Sequence, residues 1–70
     1  KLAYKEQREL DQLPKQIETI ENKVAVLAEQ IADDGFYKQA KQEIDSTLAQ
    51  LAAQQKELEK LYARWESLLE

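Results

Sequence analysis

Seventy residues without Cys, Met or His exclude a disulfide-stapled fold and remove the usual nitrogen and sulfur ligands of zinc and iron. A chain this short buries little globular core. A formal net charge of −4 argues mildly against nucleic acid as a partner, because binding there rests on Lys and Arg neutralising phosphates.

One Gly and one Pro, 34% charged residues and abundant Ala, Leu, Gln and Ile read as long helix or coiled coil. No apolar run approaches the ~20 residues of a membrane span, so no membrane partner is expected. The absence of Cys fits a cytoplasmic origin, and a chain opening on Lys1 without an initiator Met is expected to be a piece of a longer protein.

The spacing predicts a short amphipathic helix over 1–12, with Leu2, Leu10 and Tyr4 as its apolar contacts. Pro14 disfavours helical geometry at Leu13 and suits the first position of a new helix, so a break is expected at Gln12–Leu13. A second helix is predicted over 14–32. Ile17, Val24 and Ile31 fall at heptad position a, and Ile20 and Leu27 at d, with Leu10 and Leu13 extending the pattern backwards. A tip is predicted over 33–37, where Gly35 suits a left-handed helix end and Asp34 a cap for the next helix. Phe36 and Tyr37 would plug it.

A third helix is predicted over 38–69. Its seam is read as Ile44, Leu51, Leu58 and Trp65 at d, with Leu48, Gln55, Tyr62 and Leu69 at a. The short connector makes the two long helices antiparallel. The expected layers are Ile31 with Ile44, Leu27 with Leu48, Val24 with Leu51, Ile20 with Gln55, Ile17 with Leu58, Leu13 with Tyr62 and Leu10 with Trp65. Gln55 would then be a polar residue that fixes register. The expected fold is all-α: an intramolecular antiparallel two-stranded coiled-coil hairpin with a short N-terminal helix.

No catalytic constellation emerges. Gly35 is the sole glycine, which excludes a phosphate-binding glycine loop. Ser46 and Ser67 have no His or Cys partner for a hydrolytic triad. The carboxylates sit at helical surface spacing, and no cofactor or metal site is expected in this segment.

The basic residues are more informative. Lys56, Lys60 and Arg64 are spaced by four, and Lys1, Lys5 and Arg8 by four and three. The expected register gathers all of them at the open end of the hairpin, beside Tyr4, Tyr62 and Trp65. These cations could hold phosphates, with Tyr4 and Trp65 stacking on bases. The competing reading is a solvated face with ordinary helical salt bridges such as Lys5 with Glu9 and Lys60 with Glu57. A third possibility is a protein-docking or spacer element that uses Leu61 and Leu68 as exposed edges of the seam.

The segments KLAYKEQREL, LP followed by IETIE, DDGFY and YARWESL occur in that order. Together they resemble the C-terminal domain of ABC-F family ATPases over essentially the whole chain. The resemblance implies a parent protein with two ATP-binding cassettes, using ATP and Mg, and no transmembrane domain. It also implies links to the ribosome and translation, with docking on the ribosome or on the parent's ATPase core as one role. One bacterial branch is linked to DNA through a DNA-binding coiled coil at this position. The family signatures fall on Tyr4, Lys5, Gln7, Arg8, Glu9 and Leu10, and on Arg64, Trp65 and Glu66. The expected function is a monomeric nucleic-acid-binding accessory module, for DNA or ribosomal RNA, in ribosome function or DNA repair.

Overall fold

The computed structural model describes residues 2–70. Two helices of equal length, α1 (Tyr4–Ala32) and α2 (Lys41–Leu69), lie against each other as an antiparallel hairpin. The molecule is a rod of 53 × 16 × 15 Å. A single 3₁₀ turn, Phe36–Lys38, sits at its closed end.

The expected break at Gln12–Leu13 does not occur. α1 runs through Pro14 without interruption, so the short N-terminal helix is simply its first three turns. A proline inside a helix costs about 3 kcal/mol. Its flanking residues offset that cost. Leu13 is 2% exposed and Ile17 4%, and each buried side chain of this size contributes about 1.5–3 kcal/mol. Pro14 itself lies on the exposed side. At the start of α1 the Glu6 carboxylate accepts the Ala3 N–H at 3.2 Å, satisfying one of the orphan donors of the first turn.

The tip also differs from expectation. α2 begins at Lys41, after Ala40 in extended geometry, so Asp34 caps nothing. Gly35 has φ −82°, in the right-handed region, and its conformation does not demand glycine. Helix α1 ends because Asp33 turns extended, with its N–H on the Gln30 carbonyl. Phe36 is 2% exposed and plugs the hairpin, with the exposed Tyr37 ring edge-on to it at 4.8 Å.

Along α1 the buried and half-buried apolar positions are Leu10, Leu13, Ile17, Ile20, Val24, Leu27 and Ile31, as the heptads require. Along α2 they are Ile44, Thr47, Leu51, Gln54, Leu58, Leu61, Trp65 and Leu68. One row of α2 is as expected. The other is shifted by one residue, from Leu48, Gln55, Tyr62 and Leu69 to Thr47, Gln54, Leu61 and Leu68. Ile44, Leu51, Leu58 and Trp65 therefore occupy a, and the shifted row occupies d. Counting apolar residues favours the wrong row, which has Leu, Tyr and Leu. Tyrosine tips the choice the other way, because a buried hydroxyl needs a partner. At the edge, the Tyr62 hydroxyl donates to the Glu21 carboxylate at 2.6 Å.

Two cross-helix bonds set the pairing. On one edge Tyr62 reaches Glu21. On the other, the Arg64 guanidinium grips Glu9 through Nε and Nη2, at 2.6 and 2.9 Å. Midway between 9 and 21 is position 15, and midway between 62 and 64 is 63, so these two points are level. This puts Leu10 level with Leu68, Leu13 with Trp65, Ile17 with Leu61, Ile20 with Leu58, Val24 with Gln54, Leu27 with Leu51 and Ile31 with Thr47. The surface groove lined by Lys23, Val26, Leu27, Gln50 and Gln54 agrees with that alignment. The expected pairing was three residues out of step.

Gln54 stands in the seam in place of Gln55, and its Oε1 is buried without a hydrogen-bond partner. Glu9 is held below the ordinary carboxylate range, first by its hydrogen bonds from Arg64 and then by the attraction of that charge.

Three outcomes follow from this packing. Leu68→Ala should destabilise by about 2–5 kcal/mol in thermal or urea unfolding, whereas Leu69→Ala should stay within about 0.5 kcal/mol. Comparable losses would return Leu69 to the seam. Gln54→Leu should stabilise by about 1–3 kcal/mol, the cost of an unpaired buried acceptor, and an unchanged melting temperature would mean that Oε1 is solvated. A carboxyl whose folded value is depressed adds stability above its unfolded value and loses it as pH falls through the folded one. The stability gap between the parent and Glu9→Gln should therefore be full above the ordinary 4.5 and close on further acidification. A gap that is the same at every pH would separate Glu9 from the stability of the pair.

Candidate nucleic-acid interface

The heptad frame sorts the surface residues onto two edges of the seam and a back. Positions g and c share one edge, e and b the other, and f lies on the back. In an antiparallel pair the g edges of both helices meet, as Glu9 and Arg64 do, and the e edges meet, as Glu21 and Tyr62 do.

The charges follow that division. Lys5, Arg8, Lys15 and Lys23 of α1 fall at c, f, f and g. Lys56, Lys60 and Arg64 of α2 fall at f, c and g. The e and b positions carry Asp11, Glu18, Glu21, Asp45, Glu59 and Glu66. Their sole cation among the described residues is Lys41 near the tip, which pairs with Asp45 at 3.5 Å. The g, c and f face is mixed, with Glu9, Glu29, Glu43, Glu57 and Glu70 among its cations.

The corrected register changes how the cations are grouped. Lys60 is level with Glu18 and Lys56 with Asn22, whereas Lys5 and Arg8 lie nearer the free end of α1. The expected cluster at the open end becomes a track along the face. From Lys5 to Lys23 it covers about 27 Å at ~1.5 Å per residue. Lys1, expected as part of the cluster, lies outside the described residues.

The track starts in a shallow groove lined by Tyr4, Lys5, Arg8, Glu9 and Gln12. The Arg8 guanidinium sits 5.9 Å from the centre of the Tyr4 ring, in cation–π geometry, and Tyr4 is 78% exposed. This ring is open to stacking. Trp65 is different: it is half-buried at seam position a, with the Tyr62 ring 6.4 Å away. Arg64 is also committed, because its fork is filled by Glu9. Lys15 and Lys23 were missed as members of the track, although their f and g positions could have been read from the heptads.

The Glu9–Arg64 bond joins the two segments that carry the family resemblance. Among the described residues no helix is long and apolar enough to cross a membrane.

Comparison with known proteins agrees with this architecture. The family model described as the ABC transporter C-terminal domain matches residues 1–70. The chain is 50% identical to the ATP-binding protein Uup of Haemophilus influenzae over 70 residues, all of this chain and 11% of that protein. It is 46% identical to the ATP-binding protein Uup of Escherichia coli strain K12 over 68 residues, 97% of this chain and again 11% of the relative. The chain thus spans a small part of the length of these relatives. A solved structure of the C-terminal domain of the Uup protein, described as a DNA-binding coiled coil motif, superposes with a TM-score of 0.85. It has 45% identity, covering 96% of this chain and 79% of that one. With two long helices in hairpin register and a family match along its whole length, the chain belongs to the ABC transporter C-terminal domain family.

Proposed function

We propose that this hairpin is a DNA-binding accessory module of a Uup-like ABC-F ATPase of the cytoplasm, acting as a monomer. ATP and Mg belong to the cassettes of the parent protein, and the module contributes binding rather than chemistry. The observation that carries this reading is the exclusion of the cations of both helices, Lys41 aside, from the e and b edge. A net-acidic molecule can hold a polyanion where its cations outnumber its carboxylates, as they do at g, c and f, while Asp11, Glu18, Glu21, Asp45, Glu59 and Glu66 are at e and b. The solved relative at 45% identity, described as a DNA-binding coiled coil motif, supports the same ligand.

In this reading Lys5, Arg8, Lys15, Lys23, Lys56 and Lys60 contact phosphates along the axis of the hairpin, with Lys1 adding its charge to theirs. Tyr4 offers its ring to an unpaired base. Arg64 and Trp65 act through position: the first ties α2 to Glu9, and the second packs level with Leu13. Phosphate contacts carry no sequence information, so the module binds with little sequence preference.

Fluorescence anisotropy against labelled duplex, single-stranded and branched DNA and a ribosomal RNA hairpin tests this reading at low and physiological salt. Binding should weaken steeply with salt. Lys56→Glu/Lys60→Glu should weaken it at least about tenfold and reduce the salt slope by about one per lost contact. Glu59→Gln, on the other edge, should leave it unchanged. A double variant that binds like the parent would remove α2 from the interface. Preference for the RNA hairpin would move the module from DNA to the ribosome.

A further inference from the structure

The edge of the hairpin opposite the cations has its own chemistry. Leu48, Tyr62 and Leu69, at successive or alternate e positions of α2, are 38%, 39% and 62% exposed. Leu48 and Leu69 are about 31 Å apart along the helix at ~1.5 Å per residue. Between Leu48 and Tyr62 the e position is the exposed Gln55, which meets Ala28 of α1, with Ala25 of α1 and Ala52 of α2 at the neighbouring b positions. All three alanines are exposed. They make a low floor on which another backbone can approach closely, between taller apolar side chains. Tyr62 is tied across this edge by its bond to Glu21.

Carboxylates rim that strip. Asp11, Glu18, Glu21, Glu59 and Glu66 flank it, and the nearest cation on the edge, Lys41, is already paired with Asp45 at the tip. Nucleic acid is excluded from such a surface by charge. A second copy of the chain is disfavoured as well: two acidic edges repel, and its cationic g, c and f positions carry one large apolar residue among those described, Val26, in place of a heptad row. The complementary ligand has apolar side chains every seven residues, to meet the heptad-spaced Leu48, Tyr62 and Leu69, with Lys or Arg beside them to meet the carboxylates.

We propose that the e edge of the hairpin is a docking surface for a basic amphipathic helix of a partner protein. The helix lies along α2 with its apolar row on Leu48, the alanine floor, Tyr62 and Leu69. Its lysines or arginines pair with Glu18, Glu21, Glu59 and Glu66. The hairpin then presents two independent faces, and the inference does not depend on what binds the cationic one.

The Leu61 and Leu68 edge expected from the heptads is not this surface. Leu68 is 4% exposed and Leu61 half-buried within the seam.

The test titrates the 70-residue chain, with isotope-labelled amides, with a synthetic three-heptad helical peptide that has leucine once per heptad and flanking lysines. Saturable shifts should map to 48, 52, 55, 62 and 69 and spare the outer-face positions 56 and 63. A peptide with the same lysines and serine in place of leucine should bind at least tenfold more weakly. Leu48→Ser/Leu69→Ser should weaken the leucine peptide to the same extent while keeping the parent's helicity by circular dichroism. Equal binding of the serine peptide would overturn the proposal, since charge alone would then account for association. Shifts spread over the g edge, or no saturable shift, would also overturn it. A dimer of the parent chain in sedimentation that is lost in Leu48→Ser/Leu69→Ser would assign the surface to a second copy instead.

Discussion

The structure depends on a single apolar seam between two helices. There is no second layer, so each seam residue has neighbours along one direction only, and few side chains are fully removed from water. Leu13, Ile17, Phe36 and Leu68 are the buried apolar residues among those described. The remaining seam positions are half-covered. Stability then comes from keeping every layer of the seam in step. A slip of one heptad would separate Glu9 from Arg64 and Tyr62 from Glu21 and leave the ends unpaired. Two cross-helix bonds on opposite edges resist slippage in opposite directions, which a single bond could not do.

Gln54 is the seam's costly member. A buried acceptor without a partner opposes folding, yet a polar residue in one layer penalises alternative registers in which that residue would meet larger apolar neighbours. Here it is level with Val24, one of the smaller α1 seam residues. Its neighbours Lys23 and Gln50 line the adjoining groove. The same layer is the boundary between the cationic track, which ends at Lys23, and the tip.

Much of this was legible in the sequence, and the errors have physical causes. The seam of α1, the antiparallel hairpin and the Phe36 plug follow from heptads and from a short connector. Pro14 misled because local backbone preference was weighed without the burial of Leu13 and Ile17 on either side. The second row of α2 misled because Thr47 and Gln54 look polar and Leu48 and Tyr62 apolar. Side-chain hydroxyls and partners decide that choice, and periodicity cannot see them. One shifted row then moved the whole register by three residues. That shift dispersed the expected cluster of cations and changed the parts of Arg64 and Trp65. The separation of charge between the edges could be recovered only once the frame was right, since a one-residue error exchanges the edge and core positions.

The charge separation also accounts for the acidic balance of a molecule proposed to hold a polyanion. Net charge is a property of the whole chain, whereas a ligand lying on a narrow rod meets one face of it. At physiological ionic strength charges are screened over about 8 Å, while the rod is about 15 Å thick across its short axes. Carboxylates on the e edge are therefore largely hidden from a phosphate on the g edge. A globular domain of the same composition would scatter its charges over a closed surface. A two-helix rod with heptad order can give each edge a separate electrostatic character. The price is that every such assignment depends on one seam frame, the frame held by Glu9 with Arg64 and by Glu21 with Tyr62.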